Sequence, residues 1–277
     1  VYGGTYNIYG TSNVPVMTVW RPSNGYWFYR LPNGTMSYTQ YGTNGDIPLP
    51  GDWNGDGKAE PCVLRPSTYQ WFCANPAFIV QWGDNGDIPV PADYDGAGQL
   101  DIAVFRPGAW ESAAGTWFIY HRHSGATEVF QWGTQGDIPM PADYDGDGKA
   151  DLAVYRLATN TWFIRKSSNP ATSWVIPWGT DGDIPFAAQF WWGTPLSDIC
   201  VFRPSNGYWF SKNPVYGGSY TYQYGQNGDV PMPSDETVGG VSDFCVFRPQ
   251  TNGMWFIQSH YYYAAVTSWG TLGDRPR

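Results

Sequence analysis

The sequence predicts an all-β fold: a six-bladed β-propeller of four-stranded antiparallel blades, with an extra N-terminal outer strand. Three observations lead there. A unit recurs along the 277-residue chain, marked by Arg21, Arg65, Arg106, Arg156, Arg203 and Arg248 at spacings of 44, 41, 50, 47 and 45 residues. Each unit offers four short strand candidates separated by Gly, Pro and Asn turns, the pattern of a propeller blade. Helical periodicity is absent throughout, so no other element competes for these segments.

Within each unit the markers keep one order. A short apolar run ends at the arginine. A Trp-Phe pair follows, at Trp27-Phe28, Trp71-Phe72, Trp117-Phe118, Trp162-Phe163, Trp209-Phe210 and Trp255-Phe256. Then comes an aromatic-Gly turn, at Tyr41-Gly42, Trp82-Gly83, Trp132-Gly133, Trp178-Gly179, Tyr224-Gly225 and Trp269-Gly270. Gly-Asp-x-Pro closes the unit, with Asp46, Asp87, Asp137, Asp183, Asp229 and Asp274. In the most complete copy the strands fall at about Ile138 to Tyr144, Ala150 to Arg156, Thr161 to Lys166 and Ser173 to Trp178. The second and third are joined by hairpin chemistry, as in Arg21-Pro-Ser-Asn-Gly-Tyr26, where Pro presets φ and Asn-Gly supplies φ > 0.

Six arginines and six aspartates recurring in step imply a structural clamp, because catalysis does not need six copies. The repeated tryptophans read as packing for the same reason. Strand supply is uneven at the ends. Val1 to Gly10 matches Val215 to Gly225, a fourth strand, so residues 1–12 form a spare outer-strand segment. The first unit lacks its own first strand, and the chain stops at Gly273-Asp-Arg-Pro-Arg277, where such a strand would begin. Residues 1–277 are read as one propeller domain.

Composition narrows the function. A net charge of −9 excludes the basic face that a nucleic-acid partner requires. No apolar run approaches the ~20 residues of a membrane-spanning helix. Charged residues are 14% and aromatics 18%, with 16 Trp and 20 Tyr; with few lysines and much Gly, Thr and Asn this points outside the cell. The chain begins at Val1 with no signal peptide, as a processed chain or a fragment would. Cys62 and Cys73 flank a hairpin turn symmetrically and would face each other as a cross-strand disulfide. Cys200 and Cys245 share one slot in neighbouring units, where other units have Ala103, Ala153 and Thr18. Asn33-Gly-Thr35 is the N-glycosylation sequon.

The acidic loop carries the strongest chemical signal. Asp143, Asp145, Asp147 and Asp151 place oxygens at positions 1, 3, 5 and 9 of a glycine-permitted turn, a density that suits Ca2+. A second copy has Asp52, Asn54, Asp56 and Glu60; a third has Asp93, Asp95 and Asp101, with Ala97 in place of a carboxylate. The fifth and sixth units keep only Asp198 and Asp243. The run Asp-x-Asp-x-Asp-Gly-x-x-x-Asp-Leu-x-Val over 143–154 resembles the FG-GAP/VCBS-type repeats of integrin-α-like β-propellers. The resemblance implies Ca2+ in two to three loops, mainly stiffening the blades.

Candidate binding residues lie where the repeat breaks. Phe190, Trp191 and Trp192 replace the acidic loop of the fifth unit, and Tyr261, Tyr262 and Tyr263 cluster near the last outer strand. His121 and His123 alternate on a strand and read as a solvent-facing pair rather than a zinc site. No Gly-x-Ser-x-Gly, His-Glu-x-x-His or phosphate loop is present. The reading is a non-enzymatic, Ca2+-stabilised extracellular module that binds carbohydrate or a protein surface. The alternatives are a filament or surface layer built by strand exchange through the N-terminal strand, and a polysaccharide-active enzyme.

Overall fold

A computed structural model describes residues 17–30, 35–109, 113–191, 196–233, 241–249, 253–258, 264–271 and 274–276. Strands β1 (Met17–Arg21), β2 (Tyr26–Arg30) and β3 (Met36–Gln40) form an antiparallel meander. The second sheet holds β4 (Ile47–Pro48), β5 (Cys62–Arg65), β6 (Gln70–Ala74) and β7 (Ala77–Gln81). The third holds β8 (Ile88–Pro89), β9 (Ile102–Arg106), β10 (Ala114–Tyr120) and β11 (Thr127–Thr134). The fourth holds β12 (Asp137–Pro139), β13 (Leu152–Arg156), β14 (Thr161–Arg165) and β15 (Ser173–Pro177). The fifth holds β16 (Ile184–Ala188), β17 (Asp198–Arg203), β18 (Tyr208–Lys212) and β19 (Ser219–Gln223), and the sixth β20 (Val230–Pro231), β21 (Phe244–Arg248), β22 (Met254–Gln258) and β23 (Ala264–Ser268). The last strand, β24 (Arg275–Pro276), returns to β1, with Val19 opposite Pro276 and Trp20 opposite Arg275. The six four-stranded antiparallel sheets are the blades of a six-bladed β-propeller, the predicted class.

One expectation is corrected. The first blade is not short of its first strand: the C-terminal β24 supplies it. The spare outer-strand segment at residues 1–12 lies outside the described residues, as do Asn33, Trp192, Tyr261, Tyr262 and Tyr263. The first strand of each blade is also shorter than the apolar pattern implied. Pro139 and Pro141 have no N–H to give, and Met140 between them donates to the Ala153 carbonyl at 2.8 Å.

Burial falls from the second strand to the fourth. In β13, Leu152 to Tyr155 are all buried, the mark of a strand covered on both faces. In β6, β18 and β22 buried and half-buried positions alternate. In β7, β15 and β19 exposed and half-buried positions alternate, so these strands present one face to solvent. The repeated tryptophans Trp27, Trp71, Trp117 and Trp162 are completely buried. Trp27, Trp117 and Trp162 pack on an aromatic of the second strand of their own blade, as in Phe105–Trp117 and Tyr155–Trp162, with ring centroids 5.2 and 5.3 Å apart, whereas Trp71 meets Trp53 of the loop.

The chain forms two compact units, one of residues 1–80, 202–209 and 221–277 and the other of 81–201 and 210–220. The first unit has a core of Val19, Phe247, Trp255 and Ile257, and another of Trp20, Trp27 and Val63. The second unit is built on Val90, Phe105, Trp117 and Ile119, and on Tyr144, Tyr155, Trp162 and Val201.

One clamp recurs through both units. Arg156 donates from Nε and Nη2 to both carboxylate oxygens of Asp137, each at 2.8 Å. The same fork joins Arg21 to Asp274, Arg65 to Asp46, Arg106 to Asp87 and Arg248 to Asp229. The second face of each guanidinium lies over the phenylalanine of the Trp-Phe pair, 4.1 to 4.6 Å from the ring centroid for Phe28, Phe72, Phe118, Phe163 and Phe256. The aspartate in turn accepts the N–H of the residue after the aromatic-Gly pair, as Thr134 N donates to Asp137 at 2.9 Å. That glycine is required. Gly133 has φ +87°, and a Cβ there would lie 3.0 Å from Val154 Cγ1 of the next strand set.

The clamp predicts that Asp137→Ala and Asp274→Ala each lower unfolding free energy by about 1.5–3 kcal/mol, the range for losing hydrogen bonds to a charged group. Urea titration measures it; a loss below ~0.5 kcal/mol in both would show the pair to be ornamental.

Candidate metal centre and adjoining cavity

In the fourth blade the acidic loop lies between β12 and β13 and is pinned by the Ala142–Asp151 bridge. Its carboxylates have different duties. Asp143 accepts N–H bonds from Gly146 at 2.6 Å and Gly148 at 2.9 Å, so it shapes the turn. Asp151 is completely buried; it accepts from Tyr144 N at 3.0 Å and from both Ser167 N and Ser167 Oγ at 2.7 and 2.9 Å. Asp147 accepts from Lys149 N, and its Oδ1 lies 2.9 Å from Ser167 Oγ, whose single proton serves either Asp147 or Asp151. Asp145 accepts from Ser168 Oγ through Oδ2, while its Oδ1 is buried with no donor. Asp143, Asp145 and Asp151 bring one oxygen each within 4.8 Å of one another.

This arrangement fits a cation. A buried carboxylate oxygen without a donor costs free energy that a metal ion would offset. Burial, with like charge from Asp145 added, pushes Asp151 up to about 6. Burial and the neighbouring Asp147 and Asp145 also raise Asp143. All donors are hard oxygens, the set that Ca2+ prefers. The residues that converge and would hold it are Asp143, Asp145 and Asp151; Asp147, the remaining carboxylate of the expected set, lies outside that group.

The other two loops differ from expectation. Among the described residues two groups of His, Cys, Asp or Glu converge within 4.8 Å, and the loop at 52–60 is not one of them. There Asp52 accepts three backbone N–H bonds from Gly55, Asp56 and Gly57, and the Asn54 amide donates to Glu60 at 3.1 Å. Burial raises Glu60 to about 7. In the loop at 93–101, Asp93 is spent on the N–H groups of Gly96, Ala97 and Gly98. The converging group is instead Asp95, Asp101 and His121.

His121 also departs from the sequence reading. It follows β10 directly, is buried, and does not share a solvent face with the exposed His123. Its Nδ1 meets Asp101 Oδ2 at 3.0 Å and Asp95 Oδ2 at 3.8 Å, and its Nε2 lies 3.4 Å from Glu128 Oε2. Burial works against the imidazolium, but Asp101 and Glu128 outweigh it and raise His121 above its ordinary value. A positional signal was available. His121 occupies the slot that Asn213 holds in the fifth blade, where the Asn213 amide donates to Asp198 at 3.1 Å.

The aromatic candidate Phe190 is corrected. It is buried, and its N–H donates to Asp198 at 2.9 Å. Trp53, Tyr94 and Tyr144 stand in the same place in their blades, each giving its N–H to Glu60, Asp101 or Asp151. Phe190 is therefore the core aromatic of the fifth blade, not a ligand platform. Trp191 is 36% exposed and its indole covers Gly218. Cys62 and Cys73 are disulfide-bonded across β5 and β6; Cys200 and Cys245 are buried and outside any disulfide.

Between the third and fourth blades lies a cavity of about 240 Å3. Tyr94, Asp95, His121 and Glu128 line one wall, and Lys149, Arg165, Lys166 and Ser167 the other. The two loops are tied at its edge, where Ala150 N donates to the Asp93 carbonyl at 2.7 Å.

No protein-family model matches the chain, and no characterised protein matches it in sequence. Its fold resembles a streptogramin B lyase, with a TM-score of 0.59 and 9% identity over 98% of this chain and 85% of that one. It likewise resembles virginiamycin B lyase from Staphylococcus aureus, with a TM-score of 0.58 and 9% identity over 96% of this chain and 84% of that one. At such identity the likeness establishes the propeller architecture.

Two outcomes follow. Ca2+ at 100 times its dissociation constant should stabilise the protein by about 2.7 kcal/mol, and a chelator should reverse this. Asp145→Ala should abolish the shift in melting temperature; a shift that survives places the ion elsewhere. The second concerns Asp198, completely buried and raised by burial to about 6. An acid whose folded value is raised lends stability below its unfolded value near 3.8, and that stability is lost as pH rises through about 6. Asp198→Asn should remove this component. Relative to wild type, the variant should gain on the order of 2 kcal/mol at pH 7 compared with pH 4. Parallel stability–pH curves would refute it.

Proposed function

We propose that the protein is a non-enzymatic, extracellular binding module, stiffened by Ca2+, whose partner is a carbohydrate or a protein surface. One observation carries this reading. Side chains that recur from blade to blade are consumed by the clamp, shown for five pairs, and by the core, whereas the polar groups around the third and fourth loops depart from the repeat and line a cavity. Ca2+ is supported by the donorless Asp145 Oδ1 among converging carboxylates. An extracellular setting is supported by the Cys62–Cys73 disulfide, since cytosolic thiols are kept reduced. The lyase names belong to the structural neighbours and describe those proteins.

Self-assembly by strand exchange loses one of its two motives, because β24 fills the first blade. The other motive rests on residues 1–12.

Immobilised polysaccharides and a glycan array, each probed with Ca2+ and with chelator, test the proposal. Retention that weakens on chelation is expected, without new reducing ends or unsaturated products. Product formation would overturn the non-enzymatic reading, and a concentration-dependent rise in mass on size exclusion would favour assembly.

A further inference from the structure

We propose that the cavity between the third and fourth blades binds a sugar residue carrying an anionic group, a carboxylate or a sulfate. The inference rests on the binding-module reading and names its site and ligand class. Its basis is an imbalance between two walls. On the acidic wall His121 lies 3.0 Å from Asp101 and 3.4 Å from Glu128. The opposite wall has Lys149, Arg165 and Lys166. Among the described residues none of these three makes an ion pair. Arg165 lies over the Phe130 ring at 4.7 Å and reaches a single neutral acceptor, the Pro170 carbonyl, at 3.3 Å. Lys166 lies 5.2 Å from the Trp174 ring centroid.

The cavity thus holds three cations without an ion pair among the described residues, in a protein whose net charge is −9. Cations left without a carboxylate partner mark a place where an anionic group of a ligand gains. The acidic wall adds the second half of the specificity. Asp95 and Glu128 keep lone pairs at the cavity edge, with side-chain exposures of 23% and 49%, and can only accept hydrogen bonds. Hydroxyl groups supply the matching donors. Ile119, Leu152 and Ala150 line the remainder and suit the apolar face of a ring. The volume of about 240 Å3 lies just below the ~300–1,000 Å3 of drug-sized pockets, which suits one sugar unit rather than a chain.

Lys166 stands where the third blade has His121 and the fifth has Asn213. This substitution sets a basic wall against an acidic one.

The test is calorimetric titration of the full chain in Ca2+ with three probes: tri-galacturonate, a sulfated galactose trisaccharide and the neutral galactose trisaccharide. Arg165→Ala and Lys149→Ala are compared with Lys212→Ala, a cation outside the cavity, after each variant is shown to melt like wild type. Binding of at least one acidic probe is expected, weakened about 10- to 100-fold by either cavity variant and unchanged by Lys212→Ala. The acidic probe that binds identifies the anionic group. Acidic binding that survives both cavity variants, or falls equally in Lys212→Ala, would overturn the cavity assignment. Binding of the neutral probe alone would overturn the anionic ligand while leaving the binding module standing. Silence with all three overturns the anionic-sugar proposal; a wider glycan array that is silent as well would overturn the carbohydrate reading itself.

Discussion

The guanidinium fork between arginine and aspartate, present in five Arg–Asp pairs, is the interaction on which the blades depend. It ties the end of the second strand to the start of the first, two segments that share few backbone hydrogen bonds because the first strand is broken by proline. In the fourth blade only Asp137, Ile138 and Pro139 pair with β13. Arg156 reaches across that short ladder to Asp137, Asp137 caps the turn at Thr134, and Phe163 of the third strand covers the guanidinium. One side chain thus fixes strand order, turn and lateral packing together. A planar, delocalised cation suits this work better than lysine, which cannot fork and stack at once.

With the blades held this way, the loops between first and second strands are free to differ. Four of them share a scaffold in which a carboxylate takes the N–H of a buried aromatic: Glu60 with Trp53, Asp101 with Tyr94, Asp151 with Tyr144 and Asp198 with Phe190. That carboxylate persists in the fifth blade, where the rest of the acidic loop is gone. Its first duty is structural, and in the third and fourth blades further potential ligand atoms converge beside it.

The fold was legible because its signals are periodic. Six copies of Arg, Trp-Phe and Gly-Asp fix strand order by repetition, and the fourth-blade strands fall within a few residues of their expected places. The site was less legible because it depends on which groups meet. Asp52, Asn54, Asp56 and Glu60 have nearly ideal spacing, yet the Asn54 amide turns toward Glu60 and the three carboxylates do not converge as those at 143–151 do. Spacing along the chain does not reveal whether an oxygen is already satisfied. Phe190 looked like an intruder because its neighbours in sequence are unusual; its alignment with Trp53, Tyr94 and Tyr144 would have placed it in the core. His121 was misread through strand alternation, which ends one residue before it.

The pairing of β24 with β1 has a temporal side. Val19 and Trp20 are made early, and their partners Pro276 and Arg275 some 250 residues later, as is Asp274, which clamps Arg21. On a ribosome adding about 5–20 residues per second, the first blade waits on the order of ten seconds or more for its inner strand. Through that interval the edge of β1 offers unpaired N–H and C=O groups to any strand nearby. Of the six blades, the one that holds β1 is the last that can be completed, and the edge of β1 is the place in it most open to mispairing.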